Sequence, residues 1–249
     1  MDSEELQWRR TIPGKLIYSN EVHVWRVFVG LTTVQIENLQ EILSSDELTR
    51  AGRFHFERDQ KRFIAARGIL RKILAHYLDK KPHDIRFDYS DNGKPVLASK
   101  SGCDTICFNL SHSGEFALYA VTPEQNIGID IERIREDVDM DQISQRFFSP
   151  TDISSLNQIQ KNNWPEIFFQ YWTRKEAFLK AMGDGMSFPM EQCDVSLING
   201  RVLSPIILPA NNEKSSSWYV KDLFPCPGYA AAIAVEDGDS DISYWHYSL

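Results

Sequence analysis

The chain has 249 residues, a formal net charge of −8 and four cysteines. That length suffices for one large domain or two small ones, each burying its own core, and the acid excess speaks against a protein whose main task is to coat nucleic acid. Cys103, Cys107, Cys193 and Cys226 form no CxxC pair and no spacing typical of zinc or a disulfide framework, so reduced thiols and a cytoplasmic setting are expected.

The N-terminal stretch MDSEELQWRR is acidic and polar, so no signal peptide is expected there. Residues 22–36, VHVWRVFVGLTTVQI, are rich in β-branched and aromatic side chains and predict a strand, and Asn38 to Leu48 predicts a helix. From Arg50 to Lys72 the charge turns positive, with Arg50, Arg53, Arg58, Lys61, Arg62, Arg67, Arg71 and Lys72 against only Glu57 and Asp59. Such a run is either a solvated helix face or a surface for a discrete anionic ligand or acidic partner. Within it, Gln60 to Leu78 sets Phe63, Ala66, Leu70, Ile73, Leu74 and Tyr77 at helical spacing, and Pro82 breaks the helix. IRFDY and KPVL flank Asp91, Asn92 and Gly93 and predict a hairpin.

ICFNLSH and FALYAVT follow as strands. Around their junction, Ser111 and His112 predict a polar loop that donates to an anion, or simply caps a turn, and Gly114 permits a tight turn. Adjacent Ser and His do not make a hydrolase pair, because neighbouring strand residues face apart. The next strand, NIGIDIE, alternates Ile127, Ile129 and Ile131 with Gly128, Asp130 and Glu132. One face is apolar and the other carries two carboxylates about 7 Å apart at their bases. That acidic face is either solvated or a divalent-metal site.

The second half repeats the order loosely, with the join near Pro123 to Asn126. Met140 to Phe147 and then Pro165 to Met182 predict helices, the second stopped by Gly183, Asp184 and Gly185. CDVSLI, WYVKDL and YAAAIAV close the chain as strands, and the last supplies the longest apolar run, Tyr229 to Val235, too short to span a bilayer. On the strong helix, WTRKEAFLKAMG places Trp172, Glu176 and Lys180 at i, i+4 and i+8 on one face. Glu176 and Lys180 could be an ordinary surface ion pair, but a large aromatic beside them implies a partly buried setting.

NLSHSG, GIDIE and WxxKEAxxKAxG, in this order and at these intervals, resemble the Sfp-type 4′-phosphopantetheinyl transferases, and the WxxKEA form is similar to their W/KEA subgroup of cyanobacterial and animal members. The likeness extends to DNGKPVL and to RAGRFHFERDQKRFIAARGILR, and so covers about residues 45–185. It implies an α+β monomer of two similar halves, residues 1–124 and 125–249, related by a pseudo-twofold axis. Each half is a small antiparallel sheet packed with helices, and the active site lies between them. The implied reaction moves the 4′-phosphopantetheine arm of coenzyme A to a serine of an acyl or peptidyl carrier protein, releasing adenosine 3′,5′-bisphosphate.

The resemblance further implies Mg²⁺ on Asp130, Glu132 and Glu176, with Glu176 as candidate base and Lys180 beside the leaving phosphate. Arg50, Lys94, Asn109, Leu110, Ser111 and His112 match positions that bind coenzyme A, with Arg53, Arg62 and Arg67 as basic neighbours. The family's bacterial prototype has glutamate after its FFS segment where this chain has FFSPTD, so Asp152 is assigned no role. Phe147 and Phe148 are candidates for carrier docking or for the core. The carriers of fatty-acid, polyketide and peptide synthases are alike as partners. Two rival readings are a metal-dependent phosphatase or nuclease, which would need more Asp and His ligands, and a nucleic-acid-binding module using the basic run.

Overall fold

The computed structural model describes residues 8–10, 14, 16–98, 106–123, 125–183, 188–200, 204–206, 218–236 and 238–249. Strand β1 (Glu21–Phe28) leads into helices α1 (Thr33–Gln40), α2 (Ser45–Ala51) and α3 (Glu57–Leu78). A hairpin of β2 (Phe87–Tyr89) and β3 (Pro95–Leu97) follows, then β4 (Ile106–Ser113) and β5 (Phe116–Pro123). Strand β6 (Ile127–Arg133) restarts the pattern with helices α4 (Met140–Phe147), α5 (Pro150–Asn157) and α6 (Trp164–Met182). The chain closes with β7 (Ser204–Pro205), β8 (Tyr219–Leu223), β9 (Tyr229–Val235) and β10 (Asp241–Tyr247).

Two four-stranded sheets form, in the orders β10-β1-β5-β4 and β6-β9-β8-β7. Alternation along the strands stacks them. Val22, Val24, Leu118 and Ala120 of the first sheet meet Ile127, Ile129, Ile131, Ala231, Ile233 and Val235 of the second in one core. The opposite face of the first sheet, with Trp25, Val27, Tyr119 and Val121, packs against α3 through Ile69, Leu70, Ile73 and Leu74. The opposite face of the second, with Ala230, Ala232 and Ala234, packs against α6 through Ala177, Phe178 and Ala181. The layers therefore run helix, sheet, sheet, helix, an α+β arrangement with a core in each of the three interfaces.

Several boundaries differ from expectation for identifiable reasons. The expected strand 22–36 ends at Phe28, because Thr32 starts α1 with a capping box to Gln35. The expected helix from Asn38 to Leu48 is broken at Ser44, which makes the same box with Glu47. CDVSLI forms no strand of a sheet. Its backbone is spoken for by side chains: the N–H groups of Val195 and Ser196 donate to Asp152 Oδ1 at 3.0 and 2.8 Å, and Arg174 donates to Val195 O at 2.8 Å. Strand β10, unanticipated, pairs in parallel with β1, Trp25 opposite Trp245, so a strand from the end of the chain completes the first sheet. Asp184 and Gly185, expected in the helix stop, lie outside the described residues, whereas Gly183 caps α6 with φ +76°.

The basic run also divides. Arg67 and Arg71 turn inward from α3 and meet Glu47 of α2 at 2.9 and 2.7 Å, all three buried. Arg71 also donates to Pro82 O and Ile85 O. The other half has a matching knot. Asp152 of α5, 0 % exposed, meets Lys175 of α6, 1 % exposed, at 2.8 Å. Lys175 also donates to Met190 O and Cys193 O. Asp152 is therefore a structural residue. Asp152→Ala leaves a buried ammonium unpaired and is expected to cost about 3–5 kcal/mol. Adding Lys175→Met to it should recover part of that loss, and urea unfolding of both variants measures the difference.

Candidate active site

Strand β4 points Asn109, Ser111 and Ser113 toward β6, which belongs to the other sheet. The Ile129 N–H donates to Asn109 Oδ1 at 2.9 Å, Ser111 Oγ donates to Asp130 Oδ1 at 2.8 Å, and Ser113 Oγ donates to Glu132 Oε2 at 2.7 Å. The Arg133 N–H returns a bond to Ser113 Oγ at 3.0 Å. Side chains of NLSHS thus stitch the two sheets where no backbone ladder does. Ser111 and His112 lie within a strand, a correction to the expected polar loop, because period-two alternation continues to Ser113 before Gly114 turns at φ +58°.

The acidic face of β6 is largely covered by α6, with Asp130 buried and Glu132 half-buried. A methyl group on Gly128 would run into Ala177 O and Ala181 N of the helix, so only glycine lets the two backbones approach this closely. From that position the last turns of α6 present Glu176 and Lys180 to the carboxylates. Lys180 Nζ lies 2.6 Å from Asp130 Oδ1 and donates to Ser111 Oγ at 3.0 Å and Ile129 O at 3.4 Å. Trp172, one turn before Glu176, packs on Phe147 at 5.7 Å and Phe168 at 6.4 Å between ring centres. Phe148 is buried and stacks on Phe168, which places it in the core.

A pocket of roughly 250 Å³ opens between β4, α6 and the β2–β3 turn, with Lys94, Asn109, Leu110, Glu176 and Lys180 in its wall. Residues far apart in the sequence meet here, as the motif spacing anticipates. Arg50 does not join them. It is exposed on α2, its guanidinium 5.7 Å from the Phe63 ring centre, and it lines a second cleft with Arg53 and Tyr89. Tyr89 belongs to β2, so the two clefts flank one hairpin. Lys94 lines the first pocket, but its ammonium turns to the main-chain oxygens of Lys180 at 2.5 Å and Ile127 at 3.2 Å.

Electrostatics single out the acids. Burial raises the Glu132 carboxyl pKa; the Ser113 hydrogen bond opposes this and Asp130 adds to it. Burial likewise raises Glu176, with Asp130 and Glu132 adding and Lys180 opposing. Asp130 is buried, and its Oδ2 has no hydrogen-bond partner among the described residues. Three hard carboxylates facing one ammonium, one oxygen of them orphaned, form a donor set that suits a hard divalent cation. Among the described residues, however, no three His, Cys, Asp or Glu side chains stand at ligand spacing, since Lys180 draws Asp130 to itself. His112 has exposed surface, yet loss of hydration and then the positive Lys180 and Arg62 lower its imidazole pKa.

Two buried pairs that orient α6 were not anticipated from the motifs. Lys175 of KEA pairs with Asp152, and Arg174 beside it meets Asp222 of β8 through two bonds of 2.7 Å. The sequence does carry a signal for the first, since Ser149-Pro150-Thr151-Asp152 is a helix start whose N3 acid lies beside an apolar run.

Residues 126–234 match the family model described as the 4′-phosphopantetheinyl transferase superfamily, and residues 32–124 match that of the 4′-phosphopantetheinyl transferase N-terminal segment. Over 240 residues the chain is 38% identical to the 4′-phosphopantetheinyl transferase HetI of Nostoc sp., covering 96% of this chain and 98% of that protein. It is 30% identical over 209 residues to the transferase Sfp of Bacillus subtilis, covering 84% and 89% of the two chains. It is 31% identical over 211 residues to the mouse L-aminoadipate-semialdehyde dehydrogenase-phosphopantetheinyl transferase, covering 79% and 68%. With residues of KEA and NLSHSG in one pocket wall, Asp130 of GIDIE bound to Ser111 and Lys180, and nearly the full length of one such relative matched, the chain belongs to the 4′-phosphopantetheinyl transferase family.

Proposed function

We infer that this chain transfers the 4′-phosphopantetheine moiety of coenzyme A to a serine hydroxyl of a carrier protein or carrier domain. The observation that carries this reading is the meeting of the two family segments, where Asn109 of the N-terminal one shares a pocket wall with Glu176 and Lys180 of the C-terminal one and Lys180 donates to Ser111. We accordingly divide the chain at residue 124 into a coenzyme A-binding half and a half that bears the metal and catalytic residues, with the exception that β10 of the second completes the sheet of the first. It acts as a monomer in the cytoplasm, on apo carriers of fatty-acid, polyketide or peptide synthesis.

In this reading Asn109, Leu110, Ser111 and His112 line the coenzyme A site, with Lys94 in its wall and Arg50 reaching the nucleotide end from the flanking cleft. His112, held toward its neutral form, donates an N–H to phosphate, and a bound phosphate would draw its pKa back up. Glu176, a stronger base than an exposed carboxylate because its pKa is raised, accepts the serine proton. The serine oxygen then bonds to the phosphorus that bears pantetheine, and the anhydride bond to the nucleotide phosphate breaks. Lys180 faces the charge that appears on that leaving phosphate. Asp130, Glu132 and Glu176 would hold Mg²⁺, which supplies neutralisation of the pyrophosphate charge. A phosphatase or nuclease reading finds no comparable support, because the described wall of the pocket carries one acid, from α6, and no histidine.

Intact-protein mass spectrometry of an apo carrier mixed with this protein, coenzyme A and Mg²⁺ should show the added phosphopantetheine. Asp130→Ala should lose that activity while keeping its fold by circular dichroism. Near-normal turnover of the variant at saturating Mg²⁺ would remove Asp130 from the site.

A second expectation needs no turnover. The unfolded value for both glutamates is near 4.5 and the folded values are higher, so the folded state binds the protons more tightly. Stability is then lost as pH rises from about 4.5 through the folded values. Glu176→Gln should therefore raise the melting midpoint of the metal-free protein at pH 7, and the gain should fade on acidification toward 4.5. Millimolar Mg²⁺ should raise the wild-type midpoint more than that of the variant. A wild-type midpoint indifferent to Mg²⁺ would sink the metal assignment.

A further inference from the structure

The Lys94 ammonium turns away from the pocket to the end of α6, where the proposed chemistry gives it nothing to do. It comes from the turn between β2 and β3 and reaches two oxygens of the other half, Lys180 O at 2.5 Å and Ile127 O at 3.2 Å. Two residues before it, Asn92 Nδ2 donates to Gly183 O at 2.8 Å. The last carbonyls of a helix have no partner within the helix, and a cation there also faces the negative end of its dipole. Burial is what chiefly lowers the Lys94 pKa, to about 8, with Lys180 adding and Cys107 opposing. An apolar side chain at this position would avoid that cost and leave both oxygens unpaired.

Lys180 is consequently held at both ends. Its main-chain oxygen is bound by Lys94, and its ammonium by Asp130 and Ser111. Gly128, next to Ile127, is where α6 rests on β6, so the ties of Lys94 and Asn92 fall at the same corner as that contact. We propose that Lys94 is a positioning residue, which pins the last turn of α6 to β6 and to the β2–β3 hairpin and thereby aims Lys180 at the reacting phosphate. The proposal rests on the transferase reading for Lys180 and differs from a direct contact between Lys94 and coenzyme A.

The two roles separate kinetically. If Lys94 acts through Lys180, Lys94→Met should lower kcat about 10-fold or more while KM for coenzyme A changes less than about 3-fold. In a Lys180→Ala background the same change should cost less than about 2-fold, because the group it aims is gone. A rise in KM with kcat unchanged, or losses that multiply in the double variant, would overturn the proposal. Hydrogen exchange supplies a readout independent of turnover: the amides of Ala181, Met182 and Gly183 should exchange faster in Lys94→Met, and unchanged protection there would equally overturn it. If Lys94→Met does not fold, Asn92→Ala removes the neighbouring tie and should show the same pattern in milder form, and wild-type protection in that variant would count against it. Failure of the wild type to modify any apo carrier would instead strike the transferase reading, leaving the exchange result to judge Lys94.

Discussion

The close contact of α6 with β6 at Gly128 is the constraint on which the site depends. Because no side chain intervenes, the helix lies low enough for Lys180 to reach the buried Asp130 and Ser111. Three cations of that one helix then meet acids on three different elements: Arg174 with Asp222 on β8, Lys175 with Asp152 on α5, and Lys180 with Asp130 on β6. Each pair fixes a direction, and together they leave the helix little freedom to roll or slide. Buried pairs of this kind contribute little net stability, since desolvation offsets most of the attraction. Their effect is to specify where Glu176 and Lys180 stand.

The halves resemble one another more closely in these polar knots than in their apolar residues. In each, a serine caps the second helix, the acid three residues on closes the capping box, and that acid is buried against cations of the third helix. Glu47 with Arg67 and Arg71 plays in one half the part of Asp152 with Lys175 in the other. The repetition ends where the chemistry begins. Among the described residues no counterpart of Asp130 and Lys180 joins α3 to a strand of the first sheet in this way: its buried cations Arg67 and Arg71 meet Glu47, and Arg58, Lys61 and Arg62 pair with Glu57 and Asp59 of the helix itself.

How much of this the sequence discloses follows from the range of each signal. Period-two alternation in NIGIDIE shows one apolar face, and that face lies between the sheets. What covers the other face depends on a helix some forty residues downstream, which no local pattern reports. The helical spacing of Trp172, Glu176 and Lys180 is legible, but the choice of Trp172 as a core contact is made by Phe147 and Phe168. CDVSLI has strand composition, yet long-range bonds from Asp152, Arg174 and Lys175 take its backbone groups. In the basic run, charge alone does not distinguish Arg67 and Arg71, which are buried, from Arg58, which is exposed; only their partner Glu47, twenty residues before Arg67, does.

Strand β10 has a consequence for how the chain acquires its shape. The first sheet sets Trp245 beside Trp25, so β1 has an open edge until the segment Asp241–Tyr247 has been synthesised. Its early neighbours, β5 and β4, can pair and pack on α3 well before then. The first sheet is therefore completed by a strand that follows every strand of the second in the chain. Pairing across so long an intervening segment raises the contact order, which slows folding. An unpaired edge during that interval is the nascent chain's natural point of contact with chaperones or with other copies of itself.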